Sequence, residues 1–145
     1  MNTSVPSDQR QYLRLPRPYR VQVRELVFPI AKDPLLEGTV HDISRGGLCV
    51  ESPDPYDKGA SWHVSVHIPL LNKFTSGFFK VYENDAEQYF QAIAEVAWCR
   101  QVRSGYLVGI KFTNIDDDLS SALERLIDKA FMDETYRMNG SIKLF

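Results

Sequence analysis

The chain has 145 residues, 43% hydrophobic and 25% charged, enough for one domain with a packed core and too few for two of ordinary size. Its 17 Lys and Arg stand against 19 Asp and Glu, so bulk charge excludes a general polyanion binder and any basic site has to be local. No run approaches the ~20 apolar residues of a membrane span, no signal peptide opens the chain, and Cys49 and Cys99 lack metal-type spacing; a reducing cytoplasm is the expected location.

The polar opening MNTSVPSD leads into Arg10, Arg14, Arg17, Arg20 and Arg24, opposed before Glu25 by Asp8 alone. Residues 1–18 are therefore expected to be a flexible cationic arm. Tyr19, Val21, Val23 and Val27 then alternate with Arg20, Gln22 and Arg24, which predicts a half-buried strand with those two arginines on its outer face. The apolar parity changes near Glu25, so a bend or bulge is expected before Pro29, and KDPLLEG is expected to be a loop. Short strands over Gly38 to Asp42 and Leu48 to Glu51 flank the segment HDISRGGLCVE.

Trp62, Val64, Val66 and Ile68 give the cleanest alternation in the chain, closed by Pro69. Phe90 to Arg100 and Tyr106 to Phe112 predict two further strands joined at Arg103-Ser104-Gly105. Ile115, Leu119, Leu123, Leu126, Ile127, Ala130 and Phe131 recur at helical spacing, with Asp116, Asp117 and Asp118 at the positive end of the helix dipole. The expected fold is mainly β, a small six-stranded antiparallel barrel over residues 19–131 with a closing C-terminal α-helix, followed by a tail over 132–145.

Taken alone, Asp42, Ser44, Gly46 and Gly47 are what a hairpin turn needs: glycines that admit positive φ, and side chains that bond local N–H groups. They are accompanied upstream by R-x-x-x-R at Arg10 and Arg14, and again at Arg20 and Arg24. D-x-S-x-x-G paired with R-x-x-x-R resembles the PilZ domain, a small β-barrel family that binds the bacterial second messenger cyclic di-GMP. The resemblance extends to Val96-Ala97-Trp98, to the strand GYLVGIKF, and to the closing helix, covering roughly residues 10 to 131.

The resemblance implies a ligand site of Arg10, Arg14, Asp42, Ser44 and Gly47, because the family's arginine motif precedes the first barrel strand, where Arg10 and Arg14 stand. Arg45, Gly46 and Trp98 are secondary candidates, each with a plain structural reading as a surface charge, a turn residue and a packed aromatic. The ligand's chemistry suits these residue types. A guanidinium forks onto phosphate or a guanine edge and stacks on a base. Asp42 accepts from guanine N–H groups, Ser44 can donate or accept, and Gly47 leaves room. Closure of the arm, with Arg10 to Pro18 ordering on binding, would be the signal.

Other signals are discounted. His63 and His67 lie about 13 Å apart on a strand at ~3.3 Å per residue, too far to share an ion. His41 and Asp42, as consecutive strand residues, should face opposite sides and form no dyad. No nucleophile has a sequence-local activator, so no enzyme and no cofactor are expected. The segment Lys73 to Phe90 holds six of the seventeen aromatic residues, and reads as a hairpin over the barrel end or as a partner or self-association surface, hence a homo-oligomer. The reading is a stand-alone cyclic di-GMP receptor that signals through an unidentified downstream protein. The alternatives are a PilZ-like adaptor that binds no nucleotide, and a single-strand nucleic-acid barrel, which the acidic balance disfavours.

Overall fold

In the computed structural model, residues 13–27, 29, 33–74 and 88–143 are described, with side chains to residue 134. Six strands run in chain order: β1 (Arg20–Glu25), β2 (Leu36–Ile43), β3 (Gly47–Ser52), β4 (Ser61–His67), β5 (Tyr89–Val102) and β6 (Gly105–Ile115). They close in the order β1-β2-β3-β6-β5-β4, every neighbouring pair antiparallel. Closure removes the unpaired strand edge that would otherwise invite aggregation.

Alternation fills the barrel. Val21, Val23, Val40, Leu48, Val50, Trp62, Val64, Val66, Phe90 and Val108 point inward and are almost fully buried. The hairpin between β5 and β6 turns on Arg103 and Ser104, with Val102 paired to Gly105. Gly105 has φ +147, and a Cβ there would lie 2.7 Å from the Ser52 carbonyl oxygen, so the turn needs glycine.

One helix, α1 (Asp117–Lys143), follows β6. Asp116 caps it: its Oδ2 accepts from the backbone N–H groups of Asp118 at 3.2 Å and Leu119 at 3.3 Å. Ala122, Leu123, Leu126 and Ile127 join the barrel core, with Leu119, Ala130 and Phe131 packed against it. The apolar stripe ends at Phe131 while the backbone stays helical to Lys143, so much of 132–145, read from sequence as a tail, is helix. Burial sets where the stripe stops, and backbone propensity lets the helix run on.

β1 ends at Glu25 with Leu26 and Val27 exposed beyond it, and the backbone bends at Pro29; Phe28, where the expected bend or bulge would begin, lies outside the described residues. Within the expected arm, residues 13–18 meet the barrel at Leu15. Leu15 N–H donates to the Ile43 carbonyl at 2.7 Å, Ile43 N–H returns a bond at 3.0 Å, and the Leu15 side chain is in the core. An apolar residue amid arginines gives the segment an anchor that charge counting overlooks. Arg10 and residues 75–87, most of the aromatic segment, lie outside the described residues.

Candidate functional site

The bulge in β2 builds the centre of the site. Val40 pairs with Val50 and Asp42 with Cys49, leaving His41 as the extra residue. Both bulged side chains leave the barrel on one side. His41 Nδ1 consequently lies 3.1 Å from Asp42 Oδ2, the contact that strict alternation forbids. Arg14 Nη1 donates to Asp42 Oδ1 at 3.3 Å, across 28 residues. Leu15, the neighbour of Arg14, is tied to Ile43, the neighbour of Asp42, so the backbone ladder itself sets the two charges side by side.

From Asp42 the register continues across the outer face to Cys49, Gly109 and Trp98, one residue from each of β2, β3, β6 and β5. Trp98 is outside because of a second bulge, at Ala97, between the pairs Val96–Ile110 and Trp98–Gly109. A Cβ on Gly109 would collide with the indole, so the ring lies against the bare backbone of β6, with the residue 38% exposed. Arg100, two residues on along the same face, places its Cζ 5.7 Å from the Trp98 ring centroid.

Cys49 sits in the floor of this row and is buried. Burial pushes its thiol up to about 11, with the Asp42 carboxylate adding in the same direction and the Arg14 and Arg100 guanidiniums opposing. The thiol therefore stays protonated at neutral pH and offers no nucleophile.

Ser44, Arg45, Gly46 and Gly47 form the loop after β2, and their bonds are internal or directed away from Asp42. Ser44 N–H donates to the Gly47 carbonyl at 2.8 Å, while its hydroxyl donates to the same carbonyl at 3.3 Å and accepts from Gly46 N–H at 3.2 Å. Gly46 carbonyl accepts from Phe112 N–H at 2.9 Å. Positive φ among the described glycines falls at Gly59 and Gly105, not at Gly46 or Gly47. What Gly47 answers is backbone proximity: a Cβ would run into the Ile110 carbonyl oxygen and lie 3.3 Å from Lys111 Cα. Arg45 Nε donates to Ser120 Oγ at 3.1 Å and its Nη1 to Glu124 Oε1 at 2.9 Å, so it holds α1.

The structure thus brings Arg14, Asp42 and Trp98 to one outer face, with Ser44 and Gly47 as the framework of the adjoining loop. Arg24 bonds Gln22 at 3.2 Å on β1, away from this constellation. His41, Cys49, Gly109 and Arg100 were missed from sequence. The register of the β5–β6 hairpin, counted back from the Arg103-Ser104 turn, would have set Gly109 opposite Trp98. Among the described residues, no three His, Cys, Asp or Glu side chains are grouped to hold a metal ion, and no helix is long and apolar enough to cross a membrane.

Comparison with known families matches residues 8–129 to the PilZ domain. No curated protein sequence matches the chain significantly. Solved structures share the fold: the Bacillus subtilis inhibitor of motility MotI/DgrA has TM-score 0.64 at 16% identity, over 86% of this chain and 52% of that one. Escherichia coli YcgR in complex with c-di-GMP gives TM-score 0.63 at 13% identity, over 92% and 50%. The PilZ domain of YcgR with c-di-GMP gives 0.57 at 15% identity, over 90% and 98%. The chain spans about half the length of the first two.

Proposed function

Because the chain belongs to the PilZ domain family, we propose that it is a cyclic di-GMP receptor whose site lies on the outer barrel face between Arg14, Asp42 and Trp98. The observation that carries the reading is the ion pair between Arg14, second arginine of R-x-x-x-R, and Asp42, first residue of D-x-S-x-x-G, at 3.3 Å. It favours Arg10 and Arg14 over Arg20 and Arg24 as the motif in use. The two similar YcgR structures that hold c-di-GMP support the same ligand.

Each residue has a defined task. A guanine edge, with its N–H donors, takes Asp42 Oδ2 from the His41 ring, which is 54% exposed and has solvent to turn into. Arg14 keeps one nitrogen on Asp42 and turns its remaining N–H groups to a phosphate oxygen, a charge-assisted contact. Trp98 offers a ring face to the ligand. Ser44, Gly46 and Gly47 hold the loop in shape, and Arg45 acts through α1. Arg10 closes from the arm, with Leu15 as the fixed point behind it.

The protein works as a cytoplasmic binding module and not as an enzyme, needs no cofactor, and passes its signal by contact with a downstream protein or another copy of itself. An adaptor that binds no nucleotide is the competing reading, and calorimetry separates the two. Wild type should release or absorb heat with cyclic di-GMP at tens of micromolar, and Arg14→Ala should weaken binding at least tenfold, the scale of a lost charge-assisted hydrogen bond. A wild-type protein silent to the ligand sinks the receptor reading.

A further inference from the structure

We propose that Arg100, whose Cζ lies 5.7 Å from the Trp98 ring centroid, is an additional ligand-binding residue, and that a base of the cyclic dinucleotide stacks on the plane of its guanidinium. This deepens the receptor reading and rests on it.

The first ground is position. Trp98 ends the outer-face row that begins at Asp42, three strand spacings or about 14 Å away at ~4.8 Å each. Arg100 lies on that face beside the indole, so the row has an acid with a guanidinium at one end and an aromatic with a guanidinium at the other. Between them Gly109 has no side chain and lies under the Trp98 indole, and Cys49 has a small, buried one, which leaves a shallow floor. The Cys49 thiol is influenced by Arg14 and Arg100 together, which sets both cations beside the same floor.

The second ground is partnership. Arg14 is bonded to Asp42, Arg24 to Gln22, and Arg45 to Ser120 and Glu124. Arg100 has the Trp98 ring as its contact, and among the described residues no carboxylate or carbonyl accepts from it. Glu51 shares its cross-strand row but stands two strands away, with Leu107 between. Arg100 is therefore borne on a rigid strand, exposed, and uncommitted in its hydrogen bonds. A guanidinium is planar, so it offers a face for a base to stack on and an N–H edge for phosphate.

The test is calorimetric titration of cyclic di-GMP into wild type, Arg100→Gln and Arg100→Lys, with thermal melting of each. Stacking requires the plane, so both variants should bind roughly tenfold more weakly, as when a base loses a stacking partner, with melting unchanged. Lysine keeps the charge without the plane. Wild-type affinity in Arg100→Lys would overturn stacking, and wild-type affinity in Arg100→Gln would remove Arg100 from the site altogether. Absence of binding by the wild type would instead overturn the receptor reading, an outcome distinct from either.

Discussion

Gly47→Ala separates two explanations of the D-x-S-x-x-G glycine. If it makes room for ligand, alanine weakens binding and leaves the free protein untouched. In the structure the added methyl instead meets the Ile110 carbonyl oxygen and Lys111 Cα, both backbone atoms of β6 that no rotamer change can move. Overpacking of this kind costs ~1–3 kcal/mol. Pushing β3 from β6 also strains the bond from Phe112 N–H to Gly46 and that from Ser44 N–H to Gly47, each worth about 1 kcal/mol. The expected loss is roughly 3–4 kcal/mol, which for a domain of this size lowers Tm by roughly 6–16 °C. Urea unfolding and thermal melting without ligand measure it. A variant that melts like wild type but no longer binds cyclic di-GMP would refute the reasoning and return Gly47 to the ligand.

Two further outcomes follow from burial. Cys49 carries its thiol pKa from 9.0 up to about 11 through burial first and the Asp42 charge second, so the folded state holds the proton more firmly than the unfolded chain. Its contribution is intact below pH 9 and is lost as pH rises through 11, a difference of about 2–3 kcal/mol; urea unfolding at pH 8, 10 and 11 should show a steeper alkaline decline in wild type than in Cys49→Ala, and parallel curves would contradict it. Leu15→Ala removes a core side chain that is 1% exposed and should cost ~2–5 kcal/mol by chemical denaturation. It should also weaken cyclic di-GMP binding, because Arg14 loses its anchor.

Most of the fold was legible because alternation and helical spacing report burial directly. Trp62 to Ile68 sit where period two places them, and Asp116 caps the helix that its position announces. The site was legible in its residue types and less so in its geometry. Counting by twos from Phe90 puts Trp98 inside the barrel; the extra residue at Ala97 turns it out. A bulge likewise puts His41 beside Asp42, where alternation separates them. One inserted residue reverses the facing of everything after it, and no side-chain preference marks where it falls. The Leu15 bridge to Ile43 was hidden for another reason: it is a long-range backbone pairing made by a lone apolar residue, with no periodic pattern to reveal it.

Arg45 has a mechanical consequence. It lies between Ser44 and Gly46 in a loop fastened to β6 by Phe112, and its guanidinium grips Ser120 and Glu124 in the opening turns of α1. Loop and helix are thus linked in series, with no slack between them. A displacement of residues 44–47 therefore pulls on the Arg45 bonds to Ser120 and Glu124, and through them on the first turns of a helix whose backbone continues to Lys143.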